Sequence, residues 1–151
     1  MLFSSPTPSG QIRLNDEHGD GRFGTPRGSR RHPGIDYKAE PGDLIRAPFS
    51  GTITHVGYPY DDDLRFRYVD VSANMFMARM MYVEPIPEKG SVVVKGGLVG
   101  RAQDLTKRYP GIVNHIHLGI RLSWGSAYLT GKSGGGERRA RWVWINPSIF
   151  L

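Results

Sequence analysis

Five histidines and fourteen acidic residues, with no cysteine, limit the chemistry open to this 151-residue chain. Disulfides and thiolate metal sites are excluded, so a transition-metal site must be built from imidazole and carboxylate. Two stretches concentrate these groups. In Asn114-His115-Ile116-His117-Leu118-Gly119-Ile120-Arg121-Leu122 the apolar residues alternate with the others, the pattern of a half-buried strand. Ile116, Leu118, Ile120 and Leu122 then share a core face. His115 and His117 stand side by side on the other face, with Gly119 leaving space beyond them. In His32-Pro33-Gly34-Ile35-Asp36-Tyr37 the His-to-Asp spacing would suit one helical face, but Pro33-Gly34 rules out a regular helix. The segment reads instead as a turn entering a strand, with both side chains converging on one point. Two imidazoles, one carboxylate and a spare His form an N/O ligand set that leaves a position for water, the pattern of a catalytic zinc site. One anionic ligand leaves Zn2+ with net positive charge, so that it lowers the pKa of bound water towards about 7 and polarises a carbonyl.

The elements that must hold these groups are short. Twenty glycines, close to twice the usual share of about 7%, and eleven prolines punctuate the chain too densely for long helices. Strand candidates fall at 44–48, 51–56, 65–72, 74–83, 91–94, 98–102, 112–122 and 142–145, and only 104–109 reads as a helical turn. This spacing predicts an all-β domain, a sandwich or barrel of antiparallel strands. Residues 1–20, polar and rich in turn formers, read as an extended lead-in, and 21–151 as the domain. The length suits one such domain with a single modest core, since 38% of the residues are hydrophobic.

A net charge of +6 suits nucleic acid, an anionic membrane or an anionic polymer such as a bacterial cell wall. The excess sits in Arg27-Gly28-Ser29-Arg30-Arg31 and Arg138-Arg139-Ala140-Arg141. Neither cluster is a basic helix or carries interleaved aromatic residues, so specific nucleic-acid binding is not expected. No apolar run is long enough to span a membrane. The start, Met1-Leu2-Phe3-Ser4-Ser5-Pro6, lacks the basic and apolar regions of a signal peptide. Ser133-Gly134-Gly135-Gly136-Glu137 reads as a flexible loop. Gly131-Lys132-Ser133 is no phosphate loop, because Ser126 stands where the motif needs glycine. Among the remaining candidates, His55 reads as structural, His18 as part of a surface loop, and Asp61-Asp62-Asp63 as a solvated turn. Met75, Met77, Met80 and Met81 belong either to an interface or to the core.

From Gly21 onward the motifs line up with a known family. Gly21-Arg22-Phe23-Gly24-Thr25-Pro26-Arg27 precedes His32-Pro33-Gly34-Ile35-Asp36-Tyr37, then Pro41-Gly42-Asp43, Ala47-Pro48 and Gly51-Thr52-Ile53 follow. Glu88 to Gly100 makes a turn-rich hairpin region, His115-Ile116-His117-Leu118 a His-x-His strand, and Ile145-Asn146-Pro147 the close. Together they resemble the lysostaphin-like zinc metallopeptidases, peptidase family M23 or LytM-type. The resemblance implies a compact β-sandwich with a substrate groove and little helix, and one zinc held by His32, Asp36 and His117. It also implies hydrolysis of peptide bonds in peptidoglycan stem peptides or cross-bridges. His115 would assist the zinc-bound water and stabilise the tetrahedral intermediate.

One departure concerns a further active-site His, which the family carries in a Tyr-x-His-Leu segment. Here that region reads Arg79-Met80-Met81-Tyr82-Val83-Glu84-Pro85, and Tyr82 takes the place of the His. A phenol donates to an oxyanion but is a poor base near neutral pH, its pKa being about 10. Tyr82 therefore either joins catalysis as a donor or only packs beside the groove. The leading expectation is a zinc metalloendopeptidase of phage-associated cell-wall lysis, carried in a virion or released at lysis, with peptidoglycan peptides and other virion proteins as partners. The alternative is a catalytically impaired M23-fold protein serving as a structural or wall-binding part of a larger assembly.

Overall fold

The computed structural model describes residues 2–124 and 141–150. The expected loop at 133–137, the segment Gly131-Lys132-Ser133, and Arg138, Arg139 and Ala140 of the second basic cluster lie outside the described residues. The all-β expectation holds. Strands β1 (Pro26–Arg27) and β2 (Arg30–Arg31) form a small hairpin. They are followed by β3 (Ile35–Lys38), β4 (Leu44–Arg46), β5 (Gly51–Gly57), β6 (Tyr68–Ala73), β7 (Phe76–Met81), β8 (Val83–Pro85), β9 (Val92–Val93) and β10 (Leu98–Ala102). The last two are β11 (His115–Trp124) and β12 (Arg141–Ile145). The helical turn expected at 104–109 is a 3-10 turn at Leu105–Lys107, capped by the Asp104 side chain.

A seven-stranded antiparallel sheet has the order β12-β11-β7-β6-β5-β9, with β3 also paired to β11. A three-stranded sheet, β4-β10-β8, covers its inner face. Between them lies one core: Ile53, Val69, Val71, Ala78, Met80, Ile116, Leu118 and Ile120 from the large sheet meet Ile45, Val83 and Val99 from the small one. Phe3, Phe49, Phe76 and Phe150 close one end, with ring centroids 4.8–6.3 Å apart. Among the described residues no helix is long and apolar enough to cross a membrane.

Period-two alternation explains the buried face of β11 and sets Met80 on the core face opposite Leu118, with Met77 and Met81 on the outer face opposite Arg121 and His117. Met80 is fully buried, Met77 nearly so, Met81 half-buried, and Met75 exposed. The strand expected over 74–83 divides at Tyr82, whose φ of +66° is left-handed, a conformation costly for a bulky residue. Tyr82 and Val83 both donate their backbone N–H to the Arg67 carbonyl. This kink interrupts the alternation, so Met81 and Tyr82 reach the same groove.

The segment read as a lead-in lies along the body of the domain. Phe3 is in the core, the Ser4 N–H donates to the Pro48 carbonyl, and the Arg13 N–H donates to the Asp36 carbonyl. Leu118 is fully enclosed between the two sheets, so Leu118→Ala removes buried methyl groups and leaves a cavity. Chemical denaturation is expected to show a loss of about 3 kcal/mol with an unchanged m-value. Val92→Ala, at an exposed position, is expected to stay within about 0.5 kcal/mol of the parent protein.

Candidate metal centre and groove

The three ligand candidates meet because of strand register. Asp36 on β3 is the direct antiparallel partner of His117 on β11, so their side chains emerge side by side on the face opposite the core. His32 is brought over them by the turn between β2 and β3. Its backbone N–H donates to the Thr25 carbonyl and its carbonyl accepts from the Gly24 N–H. Gly34 makes this turn possible: a Cβ there would lie 2.3 Å from the Leu118 carbonyl oxygen and 2.7 Å from the His117 ring. Sequence reasoning anticipated a turn entering a strand, and the structure has that arrangement.

His32 Nε2, His117 Nδ1 and Asp36 Oδ1 form a triangle with edges of 3.0, 3.0 and 3.2 Å. All three residues are buried. The His32 Nδ1 faces the Arg22 carbonyl oxygen at 2.9 Å. A carbonyl only accepts, so Nδ1 carries the proton and Nε2 offers its lone pair inward, the arrangement by which a ligating His is usually oriented. Donor atoms bonded to zinc at about 2.0–2.1 Å in a tetrahedron stand roughly 3.3 Å apart. The observed triangle fits that spacing with little movement and leaves the fourth corner free.

The second oxygen of Asp36 explains how a buried carboxylate is tolerated. Arg13 Nη2 donates to Asp36 Oδ2 at 2.9 Å, and Arg27 Nη2 lies 3.6 Å away. Arg13, only 2% exposed, also donates through Nη1 to the Gly19 carbonyl at 2.8 Å and pairs with Asp16 at 2.7 Å. Burial alone would raise the Asp36 carboxyl. The close contacts with the His117 and His32 rings outweigh it and hold the group well below the usual carboxylate range. Sequence reasoning missed Arg13 because it placed no site residue within 1–20. The signal available was an Arg close in sequence to Asp16 and Asp20.

His115 lies beside this cluster. Its Nδ1 donates to the Val113 carbonyl at 2.7 Å, and Nε2 stands 3.7 Å from Asp36 Oδ2. Burial lowers its pKa and outweighs the attraction of the Asp36 charge, so the ring is held towards its neutral form. Tyr82 meets His115 edge-on at 5.8 Å, and its hydroxyl is 2.9 Å from that of Tyr60. Burial raises the Tyr82 pKa. A cavity of about 320 Å³ opens here, bordered by Asp36, His115, Arg27, His18, Tyr82 and Tyr109. A wider groove of about 700 Å³ continues past His117 and Met81 to Trp144, under Arg30 and Arg31. Trp144 fills the space expected beyond the histidines: a Cβ on Gly119 would meet its indole at 2.8 Å. His18, expected in a surface loop, sits on the tight turn joining Asp16 to Gly19 and reaches the Pro110 carbonyl at the rim of the cavity. His55 stacks on Tyr68 with centroids 5.7 Å apart. Asp62 and Asp63 pair with Arg108, and Asp63 also with Arg65.

The two packed sheets, the groove on the outer face and the His–Asp–His cluster define the lysostaphin-like fold of the M23 peptidases. Csd3 of Helicobacter pylori superposes with a TM-score of 0.58 at 23% identity, over 80% of this chain and 30% of that one. A Pseudomonas aeruginosa protein classed with peptidase M23 gives 0.56 at 17%, over 99% and 50%. A zinc-containing peptidase from Vibrio cholerae gives 0.55 at 20%, over 80% and 36%. The chain thus spans between about a third and a half of these longer proteins, and at such identities the likeness is one of fold. No family model matches the chain. Leukocyte cell-derived chemotaxin-2 is 35% identical in Mus musculus over 116 residues and 37% identical in Bos taurus over 111, each alignment covering 73% of both chains. The chain belongs to the leukocyte cell-derived chemotaxin-2 family.

Arg13 is the arginine on which two buried or partly buried carboxylates depend. Arg13→Ala leaves Asp36 Oδ2 and Asp16 without it, and denaturant melts are expected to show a loss of about 3–5 kcal/mol. Arg13→Lys is expected to recover only a minor part, because an ammonium cannot reproduce the fork that spans both acids.

Proposed function

We propose that this chain is a zinc-binding protein of M23 fold whose groove binds peptide without turning it over, serving as a wall-binding or structural component of a larger assembly. The observation that carries this reading is Tyr82. In the resemblance to the M23 peptidases it aligns with their further active-site His; its pKa is raised by burial, and its oxygen is tied to Tyr60. Such a group does not accept a proton near neutral pH. The name of the leukocyte relatives, which describes a chemotaxin, favours recognition over hydrolysis as well.

His32, Asp36 and His117 would hold the zinc, as their donor types and spacing suit it. The bound ion supplies a Lewis-acidic position open to one oxygen ligand. The groove, with Trp144 as its floor and Arg27, Arg30 and Arg31 along its rim, suits an extended, negatively charged peptide such as those of peptidoglycan. A second reading, zinc metalloendopeptidase, is favoured by His115. With Nδ1 committed to Val113, its Nε2 lone pair is presented beside Asp36, where it can accept a proton.

Purified protein is expected to bind one zinc per chain by elemental analysis and to be retained on isolated cell-wall sacculi, releasing no soluble peptides from them. Zinc-dependent release of peptide fragments would overturn the binding reading in favour of the endopeptidase. A chain that takes up no zinc would overturn both.

A further inference from the structure

Tyr82 does not end the hydrogen-bonding pattern of the cavity; it is one end of a chain. Arg108 Nε donates to the Tyr109 hydroxyl at 3.3 Å, the Tyr109 hydroxyl donates to Tyr60 at 3.2 Å, and Tyr60 and Tyr82 are 2.9 Å apart. The Arg108 guanidinium also stacks over the Tyr60 ring at 3.9 Å and is fixed from behind by Asp62 and Asp63. Guanidinium has no acceptor, and each phenol has one proton and two lone pairs. Either hydroxyl of the Tyr60–Tyr82 pair can donate; the head-to-tail order, Arg108 to Tyr109, Tyr109 to Tyr60, Tyr60 to Tyr82, is the one in which each bond reinforces the next. The Tyr82 proton is left over, at the wall of the cavity that also holds Asp36 and His115. Head-to-tail hydrogen bonds strengthen one another, so the charge of Arg108 makes that final hydroxyl a better donor. Burial raises the pKa of both Tyr60 and Tyr82, keeping the phenols protonated.

The charge around the cavity points the same way. Arg13 and Arg27 balance Asp16 and Asp36, two positive groups against two negative ones. A divalent ion in the His32–Asp36–His117 cluster would leave an excess of two positive charges. Leu105 and Ile112 supply an apolar wall, and a volume of about 320 Å³ is at the lower end for small-molecule sites. That is room for a terminal residue or a single side chain.

We infer that this cavity takes the carboxylate of a peptide, and that the Arg108–Tyr109–Tyr60 chain holds the Tyr82 hydroxyl as its dedicated donor. The inference rests on the zinc-binding reading above. A carboxylate has acceptor capacity for both a cation and a hydroxyl; an amide in its place brings no charge and only one acceptor oxygen. Tyr60 and Tyr109 also line the cavity, and their hydroxyls act as positioning groups for that of Tyr82.

Calorimetry on the full-length, zinc-loaded protein tests this with three probes: the tripeptide Ala-Ala-Leu, its C-terminal amide, and the amide of Ala-Ala-Glu. The free acid is expected to bind at least tenfold more tightly than its amide. Recovery of affinity in the Glu-containing amide would assign the carboxylate to an acidic side chain, and its absence to a peptide C-terminus. Tyr60→Phe breaks the chain while leaving the Tyr82 hydroxyl, the cavity's dedicated donor, in place. It is expected to cut the acid-to-amide ratio about fivefold while zinc stoichiometry and amide affinity stay unchanged, as a merely structural role would not. Equal affinity of acid and amide in a protein carrying one zinc overturns the inference and leaves zinc binding standing. An unchanged ratio in Tyr60→Phe overturns the role of the tyrosine chain. A protein that carries no zinc overturns the inference together with the reading beneath it.

Discussion

The register between β3 and β11 is the constraint from which the functional face follows. Setting Asp36 opposite His117 and Ile35 opposite Leu118 places one cross-strand pair on each side of the sheet. The carboxylate and imidazole converge outward while the aliphatic pair is sealed inside. A slip of one residue would set Asp36 opposite Ile116 or Leu118, so that either the carboxylate or the histidines of β11 would turn into the apolar core. The cost of unpaired polar groups in the core and the lost apolar burial act together, so the hydrophobic pattern of β11 is also what aims the candidate metal ligands. Gly34 completes the arrangement, because only a residue without a side chain lets the His32 turn pass so close to the β11 backbone.

A cluster of this kind gathers charge in a place with little water, and the N-terminal segment is what neutralises it. Arg13 is fixed at both ends. Its backbone pairs with Asp36, and its guanidinium bridges Asp36, Asp16 and the Gly19 carbonyl. Asp16 in turn accepts from the backbone N–H of His18 and Val113, which ties the segment to the stretch just before His115. Folding of these first residues onto the domain and formation of the polar site are therefore one event. Removing either part leaves buried charge unpaired.

How much of this was legible in the sequence depended on range. Alternation along 115–122 and the Pro-Gly break after His32 are local signals, and they located the strand, the turn and the four side chains His32, Asp36, His115 and His117; the choice of His117 over His115 as ligand came from the family resemblance. The strand boundaries at 98–102 were also local, set by flanking glycines and the small residues between. The partners supplied by topology were not legible. Trp144 lies over Gly119 because β12 pairs with β11, and nothing in either short stretch specifies that pairing. Tyr60, Tyr82 and Tyr109 come from three separate loops and kinks, and their hydroxyls meet only once β5, β7 and the Leu105–Lys107 turn are in place. The methionine-rich stretch was ambiguous because its period was broken at Tyr82, where the left-handed backbone overrides the alternation that the sequence shows.

That kink bears directly on whether the site binds or cuts. Hydrolysis at a zinc site needs a group that takes a proton from water and returns it to the leaving nitrogen. His115 has the free ring nitrogen for the first task, but its neighbour across the cavity is a phenol whose oxygen is hydrogen-bonded to Tyr60. With zinc bound, a site of one acceptor, a donating hydroxyl and an excess of positive charge would stabilise an anion that is already formed better than it would generate one. Holding Tyr82 in a strained conformation to present that hydroxyl is a cost that the fold bears for the sake of the cavity. The same feature that weakens the case for turnover is thus the one that gives the groove a defined ligand chemistry.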